Sequence, residues 1–551
     1  MSLPVFSTQS ELFSTAGCAS TLFGPADRFR LFAQKVYPAL ARARTQLEAC
    51  YCSDNGRIAV EPVLLLGVSC LQYLEAVPDR QAVELLRYHL GWNFALNRQV
   101  GGELFHPTTL VNFRQRLVKH DLLALGFTAV LDALVEAGLV ARNSRQRLDS
   151  TQMFGRVSRM SRLDCVRESL RLALQELAET ASAPARPAAW SRWWERYVES
   201  QTDYRAAPET LARKLVEAGT DVQELLAWLS QAEGAAGQGP QVTLLRRIFG
   251  EQFELVEAAG LQPKGQEELV SERVQNPHEP EATYAAKGRG EKKKEHVGYK
   301  VQVAETVVEA MLAPGEPTRN FLTGVVTHAA RDSDEAGALL MEQEQKTMGL
   351  EPPPVQYVDA AYISTQKLVA AAAAGRELIG PAPIQTGNTQ GRFGSDSFQV
   401  AVEQRQACCP GGRQNSQCSR LVEGATGKVS FRFEWDTATC AACALRPQCI
   451  PQNQRHRTLA VGEHHTILQQ RRNEQKTDEF KARMKHRNAI EGTQSELVRA
   501  HGLRRARYRG LAKARLQNYL AGAACNIKRW LRRMIWEAKL GLAAALPPAA
   551  S

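Results

Sequence analysis

The sequence predicts a mixed α/β sheet embedded in a largely helical chain, an α+β arrangement of several domains. Three observations carry that expectation. HVGYKVQVAETVVEAML alternates with period two, the signature of a strand, and NFLTGVVTHAA reads as its partner. VQYVDAAY and ELIGP are short apolar strands on either side of a helix, STQKLVAAAAAG. Long stretches before and after these strands carry apolar residues three and four positions apart, the helical period. A strand pair followed by strand–helix–strand is the pattern of a mixed sheet covered by helices.

In chain order, residues 1–26 form a tail whose start, MSLPVFSTQSELFSTAG, lacks the basic and apolar stretches of a secretory leader. Residues 27–142 make a helical N-terminal domain. RFRLFAQKVYPALARARTQLEACY and VEPVLLLGVSCLQYLEAV have helical spacing, and Pro62 suits the first turn of the second helix. HPTTLVNFRQRLVKHDLLAL starts another at a Thr108 or Thr109 cap and carries Arg114, Arg116 and Lys119. This unit is either a DNA-binding module or a packing bundle. NSRQRLDSTQMFG supplies a first strand at 143–152. Residues 153–285 read as a helical insertion (VRESLRLALQELAET, AAWSRWWERYVES, QELLAWLSQAEG) with SAPARPAA and EGAAGQGP as linkers. Trp190, Trp193 and Trp194 are expected to pack these helices. Residues 286–400 hold the remaining strands, with Asp332 capping one helix and Ser364 and Gly375 bracketing the next. Residues 401–465 form a Cys-rich insertion, 466–540 a basic helical region and 541–551 a disordered tail.

Apolar residues at 44 % and charged residues at 23 % exclude a disordered chain. No apolar run reaches the roughly 18 residues of a membrane-spanning helix, so no membrane partner is expected. Twelve cysteines are too sparse for a secreted disulfide scaffold, and six of them lie between Cys408 and Cys449, which points to a local site in a reducing cytoplasm. The net charge of +11 is concentrated: residues 465–540 hold 19 Lys and Arg against 6 Asp and Glu, while the rest is close to neutral. Such a local excess suits a polyanionic partner.

Asp149 and Asp359 each end a short apolar or extended stretch and precede a small residue, Ser150 or Ala360. Carboxylates at the ends of adjacent strands can share a crevice and bind divalent cations through oxygen. A lone Asp at a strand end is more often a turn former, so spacing alone does not single these two out. Among the cysteines, Cys440-x2-Cys443-x5-Cys449 has close ligand spacing, and Cys409 would complete a structural four-thiolate zinc site, with Cys408 and Cys418 as spare candidates.

RLDSTQMFG, GYKVQVAETV, YVDAAYIST and HRNAIEGTQSELVRAHGLRRARYRGLAKARLQNYLAGAACNIKRW together resemble bacterial insertion-sequence transposases of the DDE type. They are most like the group with a helical N-terminal domain and a cysteine cluster before the catalytic glutamate. The resemblance runs from about residue 27 to 536, and its most specific parts are VDAAY, RNAIEG and the Gly510–Lys513–Gln517–Asn526 series. It implies an RNase H-like sheet carrying three catalytic carboxylates. Asp149 matches the first, on the first strand, Asp359 the second, at the end of the fourth strand, and Glu491 the third, on a helix packed across the sheet. Together they would hold two Mg2+ (or Mn2+) ions. Arg487, one helical turn before Glu491, matches an arginine of the family signature. Two positions depart from it: Met484 stands where the family has Tyr, and Val498 where a basic residue is expected, with Arg499 beside it as the substitute.

The implied activity is that of a DNA transposase acting on the terminal inverted repeats of its element, cutting them and joining them to target DNA. It would work as a homodimer on DNA, in the bacterial cytoplasm with the nucleoid. Arg487, Arg499, Arg504, Arg505, Arg507, Arg509, Lys513 and Arg515 are the expected phosphate contacts, which position DNA without reading its sequence. A catalytically silent DNA-binding regulator and an RNase H-like nuclease without strand transfer are the alternatives.

Overall fold

A computed structural model gives the fold and describes residues 2–4, 13–52, 56–99, 101–180, 186–200, 206–231, 235–257, 260–288, 290, 293–383, 391–424, 427 and 429–545. Parts of both expected linkers (181–185 and 232–234), of the N-terminal tail and the last residues, 546–551, lie outside these. Among the described residues no helix is long and apolar enough to cross a membrane.

The centre is a mixed sheet of β1 (Gln146–Phe154), β2 (Lys294–Thr306), β3 (Leu322–Ala329), β4 (Val355–Tyr357) and β5 (Glu377–Ile379). Their order across the sheet is β3-β2-β1-β4-β5, with Thr283–Lys287 as a further strand on the free end of β2. β2 is antiparallel to both β1 and β3, whereas β4 runs parallel to β1 and β5 parallel to β4. This is the order of an RNase H-like sheet.

The period-two alternation of β2 works because both faces are covered. Val301 and Val303 enter one core with Tyr299 and Met153, while Ala304 joins Leu148, Val326 and Val358 on the other side. The second face is covered by α1 (Asp334–Thr347), which approaches so closely that a Cβ on Gly337 would lie 2.3 Å from Gln302 Nε2. Ser333, not Asp332, caps this helix, its hydroxyl accepting from the Ala336 N–H. Ser364 caps the next helix as expected, and Gly375 follows its end at φ +67. At Thr108–Lys119 it is the His106 ring, at 3.3 Å, that accepts from the Thr108 N–H.

The first face of the sheet is covered by the two ends of the chain together. A long helix, α4, spans Leu511–Ala545, so the expected disordered tail is still helical over residues 541–545. Its Asn526 side chain clamps Leu322 of β3 by accepting from the backbone N–H (2.8 Å) and donating to the backbone carbonyl (2.9 Å). Gln517 likewise holds the loop before it, accepting from the Arg507 N–H and donating to the Arg505 carbonyl. The N-terminal helices share this core with α4 and the sheet, so residues 27–142 are a layer of the central body rather than a separate globule. Buried Arg114 forms a two-bond pair with Asp79 and packs over Tyr508, which removes it from any external surface.

The insertion between β1 and β2 has its own core, with Trp190 and Trp193 buried as packing residues. At its centre, Asp221 accepts from Arg192, Trp193, Arg196 and Tyr197. The insertion ends in a hairpin, Phe253–Val256 with Gly260–Pro263, which helical periodicity did not foretell. The Cys-rich segment is a third small body: a three-stranded sheet (Gln417–Val422, Val429–Glu434, Thr458–Gly462) beside a two-stranded one, packed on Phe433 and Trp435.

Candidate active site

Asp149 sits in β1, Asp359 two residues beyond β4, and Glu491 at the start of α3 (Ile490–His501). Asp359 caps a single 3-10 turn, Ala360–Tyr362, by accepting from the Ala360 N–H. Because β1 and β4 are parallel neighbours, the two aspartates emerge on one side of the sheet. α3 follows α2 (Asp478–Asn488) across a break at Ala489, and both pack against β1.

One side chain joins all three carboxylates. The Arg487 guanidinium, on the last turn of α2, lies 2.9 Å from Asp149, 3.3 Å from Glu491 and 3.8 Å from Asp359. Arg487 and Asp149 are largely buried, with side chains 13 % and 14 % exposed, whereas Glu491 and Asp359 are open to solvent at 69 % and 53 %. Burial pushes the Asp149 carboxyl above its usual range; Arg487 and the Ser150 N–H pull it down, and Asp359 and Asp334 push it up again. The donor set is all oxygen and anionic, with one desolvated carboxylate, which suits a hard divalent ion such as Mg2+ or Mn2+.

A buried network beneath the site holds these elements in place, and little in the sequence announces it. Glu305 of β2, fully buried, accepts from Thr493 of α3 at 2.9 Å and is paired with Arg529 of α4. Arg529 also holds Glu496 at 3.0 Å, and Lys528 adds a second cation to that carboxylate. Burial favours the neutral acid there, but the two cations outweigh it and take Glu496 down to about 2. Glu496, His501 and Cys525 also form a group of potential metal ligands. The two cations already on Glu496 oppose an ion at that place. A charged residue at the buried end of an alternating strand, V-Q-V-A-E-T, was the signal for Glu305 that the sequence held. Nearer the site, the Ser150 hydroxyl donates to Asp334 (2.8 Å), and Gln494 donates to the Ser150 carbonyl (3.2 Å).

The two departures from the resemblance have local explanations. Met484 packs with Phe480 against Val307, Tyr357 and Ile379, so it covers the sheet edge. Val498 faces the main core, and Arg499 is exposed on the neighbouring helical face. Of the other basic candidates, Arg504, Arg505, Arg509 and Lys513 are exposed. Arg507 packs over Tyr73 and Arg515 donates to the Thr327 carbonyl, so both serve inside the fold.

The cysteines lie near one another without forming a closed ligand set: among the described residues, no three of their sulfurs stand within 4.8 Å of one another. Burial raises the Cys449 thiol, Arg457 pulls it back down, and the neighbouring Cys409, Cys440 and Cys443 raise it again. A Cβ on Gly411 would lie 3.4 Å from the Cys443 sulfur and 3.7 Å from that of Cys409. Cys408 and Cys418 are outside the group that acts on Cys449.

Residues 408–531 match the transposase DDE domain, and residues 21–116 match a second transposase domain (DUF772). No curated protein and no solved structure matches the chain. The first match contains Glu491, Arg487 and the cysteine group, and the second covers most of the N-terminal helical layer that α4 packs against. With a transposase-domain match toward each end and a sheet of RNase H-like order between them, the chain is similar to the insertion-sequence transposases of the DDE type.

Proposed function

We propose that this transposase binds the terminal inverted repeats of its element and performs divalent-metal-dependent cleavage and strand transfer, with Asp149, Asp359 and Glu491 as the metal-holding residues. The observation that supports this most is the meeting of three carboxylates, from positions far apart in sequence, around the single guanidinium of Arg487. When bound, a pair of divalent ions supplies activation of the attacking hydroxyl and stabilisation of the leaving oxygen in an in-line phosphoryl transfer. The protein's own work is positional. The network centred on Glu305 keeps β1 and α3 at fixed separation, and Ser150 with Asp334 braces the strand beside Asp149. No Ser, Cys or Tyr nucleophile is required.

DNA would lie along the exposed cations Arg499, Arg504, Arg505, Arg509 and Lys513, which hold phosphates at the mouth of the carboxylate group. Recognition of the ends we assign to the N-terminal layer, where the helix Thr108–Lys119 exposes Asn112, Gln115 and Lys119, residue types suited to base edges. Two ends require two such sites, hence a homodimer on DNA. The cysteine group Cys409, Cys440, Cys443 and Cys449 would take one structural zinc ion, stabilising a segment with a small core of its own.

The experiment that tests this reading supplies pre-cut element ends with free 3′-OH groups, target plasmid and Mg2+. Joined products are expected from the wild-type chain. Hydrolysis without joining would leave a nuclease, and neither reaction would leave a DNA-binding regulator.

A further inference from the structure

The centre of the carboxylate group already holds a cation, and it belongs to the chain. Among the described residues, Arg487 is the side chain that reaches Asp149, Glu491 and Asp359 together, at 2.9, 3.3 and 3.8 Å. A divalent ion held by the same carboxylates would face a guanidinium at contact distance, and like charges in a partly buried site repel strongly. The arginine is not held firmly. Only the contact to Asp149 has the length of a good charge-assisted bond, and the buried Nε–H donates to no group.

We propose that Arg487 is an internal counter-ion that keeps divalent cations out of the DNA-free site and leaves when DNA phosphate offers it a better partner, so that metal loading is coupled to DNA binding. This rests on Asp149, Asp359 and Glu491 being the metal ligands. A guanidinium on a flexible stem pairs with a phosphate through two parallel hydrogen bonds, a geometry that its three unequal carboxylate contacts do not provide. Thermodynamic reciprocity follows: DNA raises the affinity for the metal by the factor by which the metal raises the affinity for DNA. The device holds the enzyme unloaded while it is away from DNA, and it is neutral to which DNA sequence is bound.

The test is Mn2+ binding to the full-length protein, read by the EPR signal of free Mn2+, with and without a short DNA duplex. Wild type, Arg487→Gln, Arg487→Lys and Asp359→Asn are compared, and Asp359→Asn with duplex gives the Mn2+ held by DNA itself. Without DNA, Arg487→Gln is expected to bind Mn2+ at least about tenfold more tightly than wild type, with Arg487→Lys in between. Duplex is expected to tighten Mn2+ binding to wild type and to change Arg487→Gln little. Equal or weaker Mn2+ binding by Arg487→Gln overturns the proposal. If that variant does not fold, the wild type decides alone, and Mn2+ affinity unmoved by duplex overturns it. The ligand assignment is tested separately: if Asp359→Asn binds Mn2+ as well as wild type in every condition, that reading has failed rather than the coupling.

Discussion

Arg147 of β1 and Glu305 of β2 stand opposite each other in register and form a buried ion pair at 2.6 Å, two residues from Asp149. Arg147 also donates to the carbonyl of His486, the residue before Arg487, at 2.9 Å. Through Thr493, Glu305 reaches the helix of Glu491. One buried carboxylate therefore ties together the strand of Asp149, the helix that ends in Arg487 and the helix that begins at Glu491.

That arrangement makes Glu305 a stability residue with a catalytic consequence. Replacing it by Gln leaves Arg147 without its buried counter-charge and Arg529 with Glu496 alone, and breaking such a group by removing one partner costs about 3–5 kcal/mol. Denaturant unfolding is expected to show that loss. Residual folded protein should bind DNA and cleave it poorly, because α3 is no longer fixed to β1.

Glu305 also shows what was legible in the sequence. The strands were readable because alternation carries them locally, whereas Asp149, Asp359 and Glu491 were marked only by the resemblance of the short motifs around them, and spacing alone did not single them out. Glu305 gains its meaning from Arg147, Thr493 and Arg529, partners that only the fold brings together. For the same reason the basic run after Glu491 could not be sorted in advance. Arg507 and Arg515 look like their neighbours in sequence, yet the fold turns one onto Tyr73 and the other onto Thr327. The N-terminal layer was legible as helices, but not as part of the core built by α4.

This sorting gives a distinct expectation for DNA binding. Substituting Arg499, Arg509 or Lys513 by Ala should each reduce the slope of log K against log salt by about 1, without lowering the melting temperature. Arg515→Ala should instead lower the melting temperature and leave the salt slope nearly unchanged, since its side chain donates to the Thr327 carbonyl. Salt titrations by fluorescence anisotropy, paired with thermal melts, separate the two groups.

Asp149 sets the pH dependence. Its carboxyl lies above the usual value of about 3.9, raised by burial and only partly lowered by Arg487 and the Ser150 N–H. Metal binding needs the ionised form, so cleavage should fall as pH drops through this raised value, earlier than for an exposed carboxylate. For the metal-free fold the sign is opposite. A raised carboxylate contributes stability that is full below the ordinary value and is lost as pH rises through the raised one. Asp149→Asn is therefore expected to melt no lower than wild type at neutral pH without metal, although it is expected to lose cleavage. A melting temperature several degrees below wild type would contradict this.

For the cysteine group, one zinc ion per chain is expected on elemental analysis. Cys443→Ser should lose it, and a strong chelator should lower the melting temperature of wild type but not of that variant. Cys418→Ser should retain the zinc, because that thiol lies outside the group around Cys449.

The most direct test of the carboxylate assignment is end cleavage by Asp359→Asn, on DNA carrying the inverted repeats that flank the gene. Asp359 is half-exposed and makes few contacts that support the fold, so its loss should spare folding and end binding. Mg2+-dependent cleavage is expected to fall at least about 10²-fold while the gel-shift affinity stays within about twofold of wild type. Undiminished cleavage by this variant would contradict the account.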